Sequence, residues 1–367
     1  MHFPQKVNAY DPQNRRFIGG VLTQEEGRVV FCQQQDHPAD TDLYIAPGFV
    51  DMHVHLFDGY GIFGMHASKF GHAWGVHVMS DAGSCGIDNI DAFCRYVLPT
   101  YQGIIIPKLW MNVCRFGLPS NHECIDFSML APQETASTAL QYPGLVVGIK
   151  VRLNCDIPEK DCLVPLERAL EAAELANMPL MVHISQGPPA GRDILPRLRK
   201  GDVVTHIFNG KPGSPWTEDG APIPELLDAQ ERGVLFDVAH GYSSFNFQTC
   251  TRAIAHGFTD VSVSTDMHKR CLLGKPFTFT DVMTKVHACG LSLEKILYGV
   301  TRKPAEMLGM YDWATLENMK ENATIFSYAD NTAGREFFDA FGNSAIPEKV
   351  FTPKAVIVNG RWNELTN

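Results

Sequence analysis

The chain of 367 residues is too long for one small domain, and it can form one large α/β barrel with a minor domain or two ordinary domains. Its formal net charge of −10 argues against nucleic acid or an anionic membrane as the main partner. We therefore expect a small-molecule substrate, and we leave a homo-oligomeric state open. Ten scattered cysteines without a CxxC pair, and no visible secretory leader or long apolar run, predict reduced thiols in a cytoplasmic protein.

The chain begins irregularly, with strands predicted at residues 17–22 and 28–31. After about residue 44, apolar β-branched runs alternate with helical patterns. Eight further strands are predicted, at residues 44–53, 75–81, 103–113, 145–152, 179–184, 202–208, 233–240 and 260–266. Helices are predicted at residues 88–98, 133–142, 163–177, 194–199, 224–232, 247–257 and 279–289. Apolar strands that alternate with helices are typical of a parallel sheet covered on both faces, and eight such units predict a closed (β/α)₈ TIM barrel.

The rest of the chain predicts short helices at residues 293–297 and 304–308, and strands at 323–328 and 355–358. Isolated two-stranded fragments are marginally stable, so we expect both chain ends to pair into one small β-domain. The predicted organisation is therefore a small β-domain from residues 1–43 and 310–367, beside a catalytic barrel from residues 44–309.

Two histidines lie at the carboxyl end of the first predicted barrel strand. His53 and His55 point the same way because alternate residues of a strand share a face. Two neutral imidazoles on one face suit a zinc-like ion. The alternative is a pair of buried, hydrogen-bonded histidines, and this pair alone does not decide between the two.

Polar side chains also end the later barrel strands. Lys150, His183, His206 and Asp266 lie near the ends of the fourth, fifth, sixth and eighth predicted strands. Each of them alone is more commonly structural. Because active sites of such barrels lie at the carboxyl ends of the strands, six potential ligands converge on one mouth and predict a metal site.

Lys150 follows the apolar run from Val146 to Ile149, where a charged amine would be costly to desolvate. An amine made neutral by burial and by nearby cations can react with carbon dioxide. The resulting carbamate is an anionic ligand with two oxygens that can bridge two metal ions. The alternative is an amine that reaches the mouth and binds an anion of the substrate.

These residues resemble those of the amidohydrolase superfamily of metal-dependent hydrolases. The run from Pro47 to His55 is similar to the family's opening motif, and the lysine, two histidines and aspartate follow in the family's order. The resemblance covers nearly the whole chain and is closest to the amidohydrolase/deacetylase, or dihydroorotase-like, subgroup. Further support comes from residues 81–84, 147–152, 205–210 and 236–241.

The resemblance implies a site for two divalent metal ions, with zinc expected. By that resemblance His53, His55 and Asp266 bind one ion, His183 and His206 bind the other, and a carboxylated Lys150 bridges them. Asp266 is then also the catalytic residue, since it takes a proton from the attacking water and passes it to the leaving amine or alkoxide. The alternative for this aspartate is a helix N-cap.

Two differences from members of this superfamily argue against particular activities. Dihydroorotases carry an arginine two residues after the second histidine to hold the substrate carboxylate, and here that position is Phe57. Adenine deaminases of the superfamily lack the carboxylated lysine, so Lys150 argues against that chemistry.

Three further residues are candidates for substrate binding. Arg152 shares a strand face with Lys150 and can form a bidentate bond to a carboxylate; a solvated or internally paired arginine is the alternative. His240 ends the seventh predicted strand, where it contacts the substrate or supports a residue that does. Asn209 is a weaker candidate, as is His268.

The expected function is hydrolysis of an amide or ester bond in a small carboxylated molecule. A deacylase for N-acyl amino acids or for acyl esters of 2-hydroxy acids fits the subgroup. The alternatives are a cyclic amide hydrolase of the dihydroorotase type and a scaffold protein that has lost its metal.

Overall fold

The computed structural model describes residues 3–154 and 156–365 and has a mixed α/β architecture, so the outermost residues of the predicted terminal domain lie outside it. The strands are β1 (Gln5–Asp11), β2 (Arg16–Glu25), β3 (Arg28–Gln35), β4 (Leu43–Pro47), β5 (Phe49–Val54), β6 (Val76–Ala82), β7 (Ile106–Asn112), β8 (Val146–Arg152), β9 (Leu180–His183), β10 (Val203–Thr205), β11 (Leu235–Asp237), β12 (Asn322–Asp330), β13 (Phe337–Phe338), β14 (Ser344–Ala345), β15 (Lys349–Val358) and β16 (Arg361–Glu364). The helices are α1 (Ile90–Ala92), α2 (Pro132–Ala139), α3 (Val164–Ala176), α4 (Gly191–Ile194), α5 (Pro224–Glu231), α6 (Phe247–Ala255), α7 (Phe279–Ala288), α8 (Leu293–Val300) and α9 (Arg302–Met307).

A first sheet joins the two ends of the described chain. Its seven strands follow the order β16-β15-β12-β4-β1-β2-β3, so strands from before residue 48 pair with strands from beyond residue 321. One face buries an apolar cluster that includes Val7, Ile45, Ile325 and Ile357. These residues come from four different strands, and none of the strands could bury its apolar face alone.

The predicted strand at residues 44–53 is wrong, because the structure divides it between the two sheets. β4 pairs with β1 and β12 in the first sheet, and β5 begins the second sheet after Gly48. At this glycine the backbone passes so close to His77 that a Cβ would lie 2.6 Å from its ring. The boundary that we predicted between residues 43 and 44 consequently falls inside β4.

The second sheet is parallel, in the order β11-β10-β9-β8-β7-β6-β5. Its strands are almost entirely buried, as the apolar runs predict for a sheet covered on both faces. Helix α3 packs against β8 and β9 through a face of leucines and alanines. Since all seven strands run the same way, their carboxyl ends meet at one edge of the sheet.

The predicted eighth strand at residues 260–266 is not a regular strand. The segment makes single β-bridges instead, from Ser262 to Asp237 of β11 and from Met267 to Val54 of β5. Its backbone also bonds to both neighbours, including a 2.7 Å bond from Asp266 N to His53 O. Asp266 has a φ of +49°, which ends the extended conformation.

The helices lie close to their predicted positions, with two differences. The predicted helix at residues 88–98 is the short α1 followed by a π-helical turn at Phe93–Val97. The predicted helix at 194–199 is α4, which ends at Ile194, followed by a 3₁₀ turn. No helix among the described residues is long and apolar enough to cross a membrane.

Candidate metal centre

The centre begins with two histidines and one aspartate at the carboxyl edge of the parallel sheet. His53 lies in β5, His55 follows it, and both are buried. Their Nε2 atoms lie 3.4 Å and 3.3 Å from Oδ1 of Asp266. The three ligand atoms lie within 4.8 Å of one another, so this group could hold a metal ion.

A third histidine is fixed in the tautomer that a metal ligand requires. Nδ1 of His206 lies 2.7 Å from the carbonyl oxygen of Ala239, and since a carbonyl only accepts, this nitrogen carries the proton. Nε2 therefore presents a lone pair, and it has no hydrogen-bond partner among the described residues. Burial lowers the pKa of His206 to about 4, so the ring is neutral at pH 7.

His183 completes the group of histidines. It ends β9, and its ring centroid lies 4.1 Å from that of His206, whose ring lies 5.2 Å from that of His53. Burial holds the pKa of both His53 and His183 well below the usual range. Four neutral imidazoles thus lie near one another at the carboxyl edge of the parallel sheet.

Lys150 lies in β8 with its amine buried in the same space. No described residue accepts a hydrogen bond from its Nζ. Burial lowers the pKa of this lysine to about 7, with Arg152 adding to the effect and the carboxylates of Asp266 and Asp237 opposing it. Its side chain passes so close to Gly83 that a Cβ there would lie 2.6 Å from Cγ of the lysine.

The unpaired Nζ of Lys150 and Nε2 of His206 indicate whether these residues suit a metal ion. A buried amine and a buried imidazole nitrogen without partners are costly in a protein that holds nothing between them. Nitrogen and carboxylate donors suit zinc and related divalent ions. The residues present therefore fit a divalent metal centre.

Two buried carboxylates that the sequence interpretation missed support the centre. Asp237 accepts hydrogen bonds of 2.7 Å from Ser262 and Ser264, and its Oδ2 lies 3.7 Å from Nδ1 of His53. Asp51 accepts from the backbone and hydroxyl of Thr265, which holds the segment before Asp266 in place. Burial raises the pKa of Asp237 to about 7 and that of Asp51 to about 8. For both aspartates, the sequence signal that could have identified them is a single acidic side chain inside an otherwise apolar strand.

The centre opens into a cavity of about 210 Å³, and Arg152 lines it in a paired state. Its Nε and Nη2 donate to the two carboxylate oxygens of Glu123 at 2.8 Å and 2.9 Å. The guanidinium is therefore internally paired, which was one of the two open interpretations. Glu123 lies 29 residues away along the chain and could not be anticipated as the partner.

Two predicted substrate-binding residues lie outside the described lining of this cavity. Asn209 is buried and donates to the carbonyl oxygen of His206, so it supports the turn after that ligand. His240 follows Ala239, whose φ of +40° breaks the strand alternation, and its ring lines a neighbouring cavity. His268 does line the first cavity, with Nε2 4.0 Å from Oδ2 of Asp266.

Phe57 does not line the cavity either. Its ring is buried and stacks on Tyr60 at 4.7 Å between centroids, with Phe93 at 5.3 Å. The position that carries an arginine in dihydroorotases is here part of the apolar core.

Comparison with known proteins gives both relatives and solved structures. No protein-family model matches the chain. It is 30% identical over 322 residues to a protein of Enterococcus faecalis named a deacetylase, with 87% of this chain and 86% of the relative covered. A crystal structure of an adenine deaminase superposes with a TM-score of 0.84 at 25% identity, covering 98% of this chain and 99% of the other. A crystal structure of a dihydroorotase gives 0.82 at 27% identity, covering 94% of each chain.

Proposed function

The chain belongs to the amidohydrolase superfamily, in its dihydroorotase-like deacetylase group, and from this premise we propose that it hydrolyses an amide or ester bond of a small carboxylated molecule. The observation that carries the proposal is that His53, His55, His183, Asp266 and the unpaired amine of Lys150 line one cavity, with the neutral ring of His206 packed against His183. Metal-dependent hydrolysis is the chemistry that such a set of donors serves.

We propose two divalent ions, with zinc the expected metal. His53, His55 and Asp266 would hold one, His183 and His206 the other, and a carboxylated Lys150 would bridge them. The low pKa of the lysine supports this, because an amine that is partly neutral near pH 7 can react with carbon dioxide. When bound, the ions supply an activated water and polarise the substrate carbonyl.

Asp266 is the residue that would move the proton. Its carboxylate lies against Nε2 of both His53 and His55, and its side chain is 10% exposed at the cavity. In this role Asp266 accepts the proton of the attacking water and returns it to the leaving amine or alkoxide. His268, 4.0 Å from the same carboxylate, would keep it oriented toward the substrate.

The cavity lining supports an anionic substrate. Lys211 and Arg270 contribute cationic side chains to it, beside Arg152, whose guanidinium is paired with Glu123. N-acyl amino acids and acyl esters of 2-hydroxy acids carry the carboxylate that Lys211 and Arg270 would bind.

The main alternative is a cyclic amide hydrolase, because the chain is similar to a solved dihydroorotase. The buried position of Phe57 disfavours it, because no guanidinium stands where that activity needs one. Lys150 argues against deamination of adenine. A scaffold protein without metal is disfavoured because all six proposed ligand residues are present.

A substrate screen on metal-loaded protein tests the proposal. We expect turnover of N-acyl amino acids or acyl 2-hydroxy acids, little or no turnover of dihydroorotate or adenine, and close to two metal equivalents per chain by elemental analysis. Efficient turnover of dihydroorotate would overturn the proposed substrate class. Full activity with a single metal equivalent would overturn the binuclear centre.

We also propose the finer features of the architecture. Residues 262–267 bond to both edge strands of the parallel sheet, which supports a closed (β/α)₈ barrel. The sheet of terminal strands supports a small β-domain, with its first boundary moved to Gly48. A cytoplasmic location rests on the cysteine pattern alone, and the net charge of −10 supports a small-molecule partner.

A further inference from the structure

A second cavity of about 300 Å³ lies beside the candidate metal centre. Tyr242 and Ser243 line both cavities, so the loop after Gly241 forms the wall between them. The second cavity is otherwise lined by different side chains, among them His240 and Lys285. The proposed hydrolysis uses none of these.

Lys285 brings a buried cation to this cavity. The residue lies in α7, is 4% exposed, and places its Nζ 2.9 Å from Nε2 of His240. Nδ1 of that histidine donates to the carbonyl oxygen of Gly241, so Nε2 can only accept. Burial lowers the pKa of Lys285 to about 8, which leaves the amine mainly charged at pH 7. A neutral imidazole accepts a hydrogen bond from one N–H of the ammonium and brings no counter-charge.

The carboxylates nearby are engaged elsewhere. Asp281 pairs with Arg335 and accepts from the backbone of Thr278. Asp339 accepts from the backbone N–H groups of Phe247, Phe341 and Asn343. Within the described ranges, neither forms an ion pair with Lys285.

The charges around the cavity therefore sum to an excess of one cation. Of the charged residues that line the cavity, Lys275, which is exposed, and Lys285 are cations, and Asp339 is the carboxylate. A desolvated ammonium without a counter-charge destabilises a folded protein, and an anion in the cavity would remove that penalty.

We propose that this cavity binds a small oxyanion, a carboxylate or a phosphate, on the ammonium of Lys285, with Lys275 at its entrance. The anion is either a group of the substrate that reaches past Ser243 or a separate ion. The two sources share the same recognition chemistry. The test measures anion binding and not turnover, so its result does not depend on the proposed deacylase activity.

Calorimetric titration of the metal-loaded protein with phosphate and with acetate tests the proposal. We expect saturable binding that Lys285→Met weakens by roughly 10- to 100-fold, as for one lost charge-assisted hydrogen bond. Lys303→Met is the matched control, because Lys303 is equally buried but paired with Asp260 at 2.8 Å, away from both cavities. This control should bind both anions like the unmodified protein.

Thermal unfolding separates a binding role from a structural one. In buffer without small oxyanions, Lys285→Met should melt at the same or a higher temperature than the unmodified protein, because it removes an uncompensated charge. Added phosphate should raise the melting temperature of the unmodified protein and not that of the variant. If Lys285→Met does not fold, Lys275→Met at the exposed entrance should still weaken phosphate binding.

Competition identifies the source of the anion. Displacement of phosphate by saturating N-acetyl amino acid assigns the cavity to the substrate's carboxylate, and unchanged phosphate affinity assigns it to a separate ion; both results support an oxyanion site. Absence of saturable binding of either anion would overturn the proposal, as would equal phosphate affinity in the unmodified protein and Lys285→Met.

Discussion

Replacing Gly241 with alanine should disable the candidate centre without altering any of its ligands. Gly241 has a φ of +61°, and a Cβ built on it would lie 2.6 Å from Oδ2 of Asp266. An ordinary van der Waals contact begins at 3.4 Å. The new methyl group therefore displaces the carboxylate, or the loop that carries the glycine, by about 0.8 Å.

The magnitude follows from that displacement. A shift of ~1 Å at a reacting group lowers the rate on the order of 10²-fold, so we expect a loss of this size in kcat. The left-handed backbone also disfavours alanine, at about 1–2 kcal/mol of stability. Gly334→Ala is the matched control, since Gly334 has a φ of +62° and no atom within 4 Å of the position that a Cβ would occupy.

The assay compares the two variants with the unmodified protein by kcat, metal content and thermal unfolding. Both variants should lose similar stability, and Gly241→Ala alone should lose turnover, together with part of its metal. Unchanged kcat in Gly241→Ala with both metals bound would refute the placement of Asp266 at the reaction centre. An equal loss of kcat in Gly334→Ala would show that backbone strain, and not the contact, is responsible.

Three further substitutions test individual residues of the centre. Lys150→Ala should abolish most activity, with partial rescue by added short carboxylates; an unmodified amine in a high-resolution, metal-loaded structure would contradict the carbamate. Asp266→Asn should lower kcat on the order of 10²-fold while metal content falls less than for a histidine variant; near-normal turnover would exclude it as the base. Arg152→Met should lower the free energy of unfolding by about 3–5 kcal/mol, because it strands the buried Glu123 carboxylate, and Arg152→Met/Glu123→Met should recover much of that loss. A loss confined to carboxylated substrates, without destabilisation, would show instead that the arginine binds substrate directly.

The alternation of side chains along a strand located much of the centre from the sequence. His53 and His55 share a face and both reach Asp266, as the spacing predicts. The rule fails where the backbone leaves the extended region. Ala239 has a φ of +40°, and the side chain of His240 after it enters the second cavity and not the first. Such a change of direction is set by tertiary contacts and leaves no periodic signal.

The fold shows the same limit of local patterns. Residues 44–50 form an apolar run without a break in pattern at Gly48, and the change of sheet there depends on contacts with residues far along the chain, such as Trp313, which donates to the carbonyl oxygen of Gly48. The pairing of Arg152 with Glu123 is likewise a contact between distant segments. The sequence left open whether Arg152 binds substrate, is solvated or is paired internally, and it could not identify Glu123 as the partner.

The position of β12 beside β4 affects the order in which parts of the chain can fold during synthesis. The backbone N–H of Phe49, at the start of the strand that carries His53, bonds to the hydroxyl of Thr324, 275 residues later. At ribosomal rates of about 5–20 residues per second, roughly 15–55 s separate the emergence of these two partners. Throughout that interval β4 has one edge unpaired, and the strand that carries His53 lacks its bond to Thr324. Assembly of the centre therefore waits for nearly the whole chain, so a truncation before residue 322 should leave every proposed ligand present but deprive β4 and the start of the strand that carries His53 of their contacts with β12.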